Sequence, residues 1–158
     1  MSMVPGTGPG AGIRPLFRSL GVAASGLTAQ RMRIDTVATN LANAQTTRTP
    51  EGGPYRRRIV LLEEVMAGQA GLQAGGRVTP TPGEGGGVRV AGIQEVEAEG
   101  PLVYDPGHPD ADVDGYVQLP NVNTSEELIE LLSGRRLFEA NASVFQAVKS
   151  MLRRAAQL

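Results

Sequence analysis

The 158 residues contain no cysteine, no tryptophan and a single histidine, His108. The first absence excludes disulfides, thiolate metal sites and cysteine nucleophiles. The lone histidine leaves no imidazole pair to hold a metal, and no neighbouring residue completes a triad with it. Aromatic residues make up only 4% of the chain, so any core is built mostly of aliphatic side chains and is thin. The formal net charge is −1. A surface without a basic excess cannot neutralise a phosphate backbone, which argues against nucleic-acid binding. No apolar run approaches the roughly 18 residues of a membrane span, and no basic leader precedes an apolar stretch. Neither membrane insertion nor ordinary signal-directed secretion is therefore expected.

Glycine (21) and proline (11) are plentiful, and they cluster. Residues 1–12 are small, uncharged and rich in both, and read as a disordered leader. The Gly6, Gly8, Gly10 and Gly12 spacing is a matter of composition, because a dinucleotide loop needs a preceding strand. Residues 69–87 form a second Gly-rich stretch, expected to be a loop.

Two stretches carry helical periodicity. From Asn123 onward, Leu131, Phe138, Phe145 and Leu152 recur at sevens, with Leu128, Val148 and Ala155 as companions and Leu137, Val144, Met151 and Leu158 flanking. Asn123 is a capping residue, acidic side chains crowd the first turns, and Arg153 and Arg154 sit near the end, in keeping with the helix dipole. From Pro15 to about Ala44, Leu20, Leu27, Ile34 and Leu41 repeat likewise, with Phe17, Ala24 and Ala38 as companions and Leu16, Ala23 and Val37 adjacent. Helices of this length must bury such stripes against another helix, so the two are expected to pair as a coiled coil. Between them, Tyr55 to Val65, Gly87 to Glu99, Leu102 to Tyr104 and Tyr116 to Leu119 read as strands, with the third extending the second. The expected fold is α+β: a helical domain of residues 13–45 and 121–158 enclosing a small antiparallel β-domain of residues 46–120.

Charge is uneven. Eight acidic side chains lie between Glu84 and Asp114 against the single Arg89, while Arg48, Arg56, Arg57 and Arg58 form a basic patch. These are solvated faces or complementary docking surfaces. The stretch Asp110-Ala-Asp112-Val-Asp114-Gly115 matches the opening of a calcium loop, but the twelfth position is Asn121 rather than a bidentate Glu. Flanking Pro109 and Pro120 also deny it helices, so a carboxylate-rich turn is the simpler reading. Pairs such as Glu63 and Glu64 are too generic to assign acid–base roles, and Gly83 to Gly87 lacks the Lys-Ser/Thr of a phosphate loop. No catalytic residue, metal site or cofactor is expected.

Several stretches together resemble the bacterial flagellar basal-body rod proteins, of the proximal-rod type. They are Ser25-Gly-Leu-Thr-Ala-Gln-Arg-Met-Arg-Ile-Asp35, Asn40-Leu-Ala-Asn43, and Thr47-Arg-Thr-Pro-Glu-Gly-Gly-Pro-Tyr-Arg-Arg57. Further matches are Gly87-Val-Arg-Val, Val103-Tyr-Asp-Pro-Gly-His-Pro-Asp-Ala-Asp112, Asp114-Gly-Tyr116, Pro120-Asn-Val-Asn123, Phe138-Glu-Ala-Asn141 and Lys149-Ser-Met-Leu152. Phe138 stands where the family pattern has Tyr, and Gly134 replaces a better helix former.

The resemblance implies a structural subunit that polymerises through its terminal helices into a drive shaft, transmitting torque around an export channel. It implies passage through the flagellar type III export apparatus without a cleaved signal, and residence in the basal body, in the rod that crosses the periplasm. The implied partners are copies of itself, other proximal and distal rod subunits and the adaptor at the membrane ring. Leu20, Leu27, Ile34, Leu41, Leu131, Phe138, Phe145 and Leu152 would then carry the assembly seam, and Asn40, Asn43 and Asn141 would set its register. Two other readings stand beside it: a non-flagellar coiled-coil scaffold resting on the helices alone, and a calcium-dependent binding module using Asp110 to Asp114.

Overall fold

A computed structural model describes residues 14–65 and 86–157. The expected leader (residues 1–12) and residues 69–85 of the expected loop lie outside the described residues. The elements in chain order are α1 (Arg14–Ala42), β1 (Arg58–Glu64), β2 (Val88–Glu95), β3 (Leu102–Tyr104), β4 (Tyr116–Gln118) and α2 (Thr124–Ala155). The architecture is α+β, as expected.

Local chemistry sets the helix limits. Asn123 Oδ1 accepts from Ser125 N at 3.0 Å and faces Glu126 N at 3.5 Å, satisfying N–H groups that have no intrahelical acceptor. Glu126 and Glu127 in the first turn and Arg153 and Arg154 in the last complement the α2 dipole. At its own end, α1 is closed by Asn43, whose Nδ2 donates to Thr39 O at 2.9 Å while its carbonyl accepts from Thr46 N. Pro50 and the left-handed Gly52 and Gly53 (φ 91° and 76°) then turn the chain, with Thr49 N bonded to Gly53 O at 2.9 Å.

The strands form two two-stranded sheets, β1 with β2 and β3 with β4. In the first, Val96 N bonds to Arg57 O and Val65 N to Gly87 O, an antiparallel arrangement. In the second, Leu102 faces Gln118, Val103 faces Val117 and Tyr104 faces Tyr116. The expectation that Leu102 to Tyr104 continues the preceding strand is thus corrected. Pro101 has no N–H to carry a ladder onward, and β3 turns to a different partner.

The chain divides into two compact units. One comprises Met1–Ala29, Glu63–Arg89 and Phe138–Leu158. There the Ser25 hydroxyl donates to Val22 O at 2.8 Å and accepts from Val88 N at 3.2 Å, tying α1 to the start of β2. A Cβ on Gly26 would lie 2.8 Å from Asn141 Nδ2, so the glycine is what lets Asn141 reach the α1 backbone. The second unit comprises Gln30–Leu62 and Val90–Leu137. There Gly134 is buried, and a Cβ on it would sit 3.1 Å from Ile34 Cγ1. The residue that costs α2 helix propensity is the one that admits Ile34.

Burial along the helices refines the expected stripe. Leu20, Leu27, Ile34 and Leu41, and likewise Leu131, Phe138, Phe145 and Leu152, are all half-buried. The companion rows agree with expectation at Val148, which is buried, and Ala24, which is half-buried, and differ elsewhere. On α2 the buried row is Glu127, Gly134 and Val148, with Asn141 half-buried, while Leu128 is half exposed. On α1 it is Ala23 and Val37 that are buried, whereas Phe17 and Ala38 lie exposed. Small and polar side chains occupy the closer positions because two backbones approach there.

In the second unit Gly100 lies against backbone: a Cβ on it would overlap Leu119 O. Gly100→Ala is expected to destabilise by about 3 kcal/mol or more. Gly92→Ala, with open space around it, should change stability by less than about 1 kcal/mol. Urea unfolding of the two variants checks the contrast.

Candidate functional site

Asn40 lies on the face of α1 toward β1 and is completely buried. Its Oδ1 accepts from Arg58 N at 2.9 Å and from the Tyr55 hydroxyl at 2.9 Å. Its Nδ2 donates to Arg58 O at 2.8 Å and to Glu127 Oε2 at 3.0 Å. A carboxamide offers two donors and two acceptor lone pairs, and here all four are used. The side chain addresses both the N–H and the C=O of Arg58, as a neighbouring strand would, and so joins α1 to the first residue of β1.

Glu127 supplies the link to α2. It too is completely buried, and its Oε1 accepts from Arg57 Nε. Arg57 Nη2 also lies 3.9 Å from Glu130, whose other oxygen takes Arg33 Nη2 at 3.2 Å. Asn121 completes the arrangement just ahead of α2. Its Oδ1 accepts from Arg57 N at 2.7 Å, and its Nδ2 donates to Val96 O at 3.0 Å and Ala98 O at 2.8 Å. Asn40, Tyr55, Arg57, Asn121 and Glu127 therefore form one polar junction joining α1, β1, the end of β2 and α2. A cavity of about 230 Å³ adjoins it, lined by Arg33, Thr36, Val37, Arg57 and Glu130 among others.

The junction has mechanical rather than chemical character. Every donor on Asn40 is already committed, and the buried carboxylate is paired. Breaking a buried pair leaves a charge without compensation, which costs more than forming the pair gains. Sliding α1 by one turn, about 5.4 Å, would break all four Asn40 bonds at once, and sliding α2 would break the bonds of Glu127 to Asn40 and Arg57.

Of the expected register residues, Asn40 lies at the centre of the junction, Asn43 bonds within its own helix end, and Asn141 meets Gly26. Tyr55, Asn121 and the burial of Glu127 were not anticipated. The spacing of Glu127, Gly134, Asn141 and Val148 at sevens, parallel to the apolar row, was the signal that could have placed Glu127 inside.

The basic patch is largely spent within the chain. Arg57 pairs with Glu127, Arg58 with Glu95 at 2.9 Å and Arg48 with Asp110 at 3.4 Å. The Asp-rich turn is likewise occupied. Thr47 Oγ1 donates to Asp110 Oδ2 at 2.8 Å, and Asp112 Oδ1 accepts from the backbone of Asp114 and Tyr116. The bond from Thr47, with Arg48 nearby, holds the Asp110 carboxyl below the usual carboxylate range. Among the described residues no cluster of three or more His, Cys, Asp or Glu is arranged to hold a metal ion.

Two family profiles match this chain. "Flagella basal body rod protein" covers residues 20–48, and "Flagellar basal body rod FlgEFG protein C-terminal" covers residues 113–158. The first contains Asn40 and the second Glu127. Among curated proteins, the flagellar basal-body rod protein FlgC of Borreliella burgdorferi is 45% identical over 147 residues, spanning 89% of this chain and 95% of that protein. The Bacillus subtilis FlgC is 42% identical over 146 residues, spanning 90% and 97%. That of Aquifex aeolicus is 35% identical over 139 residues, spanning 88% and 93%.

Two outcomes follow for the junction. Asn40→Ala and Glu127→Ala are each expected to cost about 3 kcal/mol. Because they share one hydrogen bond, the double variant should lose less than the sum, in a urea-unfolding double-mutant cycle. Burial also raises the Tyr55 phenol above its ordinary value near 10. A raised folded value means that its contribution is full below about pH 10 and is lost as pH rises through the folded value. The 295-nm absorbance of phenolate should thus show one tyrosine titrating late, and Tyr55→Phe should remove that late component.

Proposed function

The chain belongs to the FlgC-type flagellar basal-body rod proteins and is a structural subunit of the rod, and from that premise we propose that its assembly runs through the two terminal helices. The observation that supports this reading is apolar surface on α2 beyond what one partner helix covers. Leu137, Val144 and Met151 recur at sevens beside the half-buried row, and each is about half exposed (48%, 50% and 52%). Such a second row suits another helix, here one from a neighbouring subunit.

In this reading Leu20, Leu27, Ile34 and Leu41 pair with Leu131, Phe138, Phe145 and Leu152 as a coiled-coil seam. The flanking row of α2 continues that packing between subunits. Asn40, Asn43 and Asn141 set the register, with Asn40 acting through Glu127 and Arg58. The helices (residues 13–45 and 121–158) line the tube around the export channel, and the part between them (residues 46–120) faces outward. Torque passes along the tube because displacing one helix against another would break buried polar bonds. The subunit performs no reaction and holds no cofactor.

The partners are copies of the chain, other proximal and distal rod subunits and the adaptor at the membrane ring. The type III export apparatus delivers it without a cleaved signal to a rod that crosses the periplasm. No helix among the described residues is long and apolar enough to cross a membrane.

Two substitutions separate the seam within a subunit from packing between subunits. Phe138→Glu places a charge in the half-buried row and is expected to abolish rod assembly and motility; normal swimming would contradict the seam. Val144→Glu lies on the exposed row. It should leave the helical circular-dichroism signal and unfolding midpoint of the monomer nearly unchanged while excluding the subunit from purified basal bodies. Incorporation at the wild-type level would contradict the interchain role of that row.

A further inference from the structure

The sequence contains one Asp-Gly step, Asp114-Gly115, and no Asn-Gly step. An Asp-Gly step is prone to isomerise, because glycine places no side chain in the way of its own nitrogen. The glycine nitrogen attacks the aspartate side-chain carboxyl carbon, a C–N bond closes a succinimide ring, and water leaves. Water then reopens the ring at either carbonyl. One opening restores aspartate. The other leaves isoaspartate, whose main chain runs through Cβ and Cγ and is one carbon longer, with the composition unchanged.

The fold needs glycine at this place. Gly115 is buried with φ 83°, and a Cβ on it would lie 2.9 Å from Tyr104 Cε2 and 3.2 Å from Pro106 Cβ. Nor is the step shielded from water, since Val113 and Asp114 are both exposed.

Hydrogen bonds hold the step still instead. Gly115 N, the attacking atom, donates to Asp112 O at 3.1 Å. Asp112 Oδ1 accepts from Asp114 N at 2.9 Å and from Tyr116 N at 2.8 Å, and so grips the chain on both sides of the step. Asp112 N donates to Tyr116 O at 2.8 Å, and Gly115 O accepts from Asp105 N at 2.9 Å. Carrying Gly115 N onto the Asp114 carboxyl means rotating the peptide between them, which pulls Gly115 away from both Asp112 O and Asp105 N.

From these observations we propose that Asp114-Gly115 is an isomerisation site gated by the fold, with Asp112 as the residue that restrains it. The reaction proceeds from molecules in which residues 112–116 have opened, so the native rate is the open-chain rate multiplied by the open fraction. The extra carbon of isoaspartate displaces Gly115 from Asp105 and Tyr104, so a modified chain does not recover the β3–β4 register.

The test follows isoaspartate at Asp114 by peptide mapping of the full-length protein held at neutral pH, with the chain unfolded in guanidinium chloride as reference. The native protein should form it at least about tenfold more slowly than the unfolded chain. Asp112→Ala removes both side-chain bonds and should raise the native rate about tenfold, whereas Asp112→Asn keeps an acceptor and should stay near wild type. Protection of the Val117 amide, which lies opposite Val103, reports that a variant keeps the β3–β4 pair. Below the unfolding transition, the wild-type rate should climb with denaturant in step with exchange of the Tyr116 amide. The proposal is overturned if the native protein isomerises as fast as the unfolded chain, or if Asp112→Ala with Val117 still protected behaves like wild type. It is also overturned if denaturant speeds Tyr116 exchange and leaves the isomerisation rate unchanged.

Discussion

The rest of the second unit depends on one buried carboxamide. Removing Asn40 from water forfeits four hydrogen bonds to solvent, and the fold restores all four from the Tyr55–Arg58 segment and α2. Those bonds form only when α1, the Tyr55–Arg58 segment and the first turn of α2 are all in place. A hydrophobic stripe would tolerate a helix displaced by one turn, because leucine packs against leucine at either setting. Asn40 does not tolerate it, because its bonds to Arg58, Tyr55 and Glu127 would be lost.

The same choice shapes the rest of the helical surface. Close backbone approach needs small side chains, and these are found at Ala23 and Gly26 on α1 and at Gly134 on α2. With glycine, alanine and paired polar groups on the inner positions, much of the bulky apolar surface is left at the flanks. A subunit built in this way leaves apolar area exposed along its helices. That division suits a structural subunit of a flagellar rod.

Much of this was legible in the sequence, for identifiable reasons. The repeat at sevens located both helices, because the spacing follows directly from helical geometry. Asn123 marked the start of α2, and Pro120 bounded the last short strand. What was not legible came from contacts distant in sequence. Glu127 looked like an ordinary acidic residue at a helix start, since nothing nearby shows that Arg57, seventy residues earlier, meets it. Arg57 and Arg58 looked like a free basic patch for the same reason. Leu128, Phe17 and Ala38 were misjudged because apolar character was taken as the mark of burial, whereas the tightest approach selects for size. Leu102 to Tyr104 was read as an extension of the preceding strand because strand order cannot be inferred from alternation alone.

The most direct test of this account is amide exchange of the full-length protein under native conditions, comparing Arg58, whose N–H is bonded to Asn40, with the α1 and α2 amides around Asn40 and Leu131. If the junction holds the helices and β1 as one cooperative unit, all should exchange with a common opening free energy and a common dependence on denaturant. If Arg58 exchanges freely while the helical amides remain protected, the junction does not hold the fold together, and the register of the helices must come from their apolar faces alone.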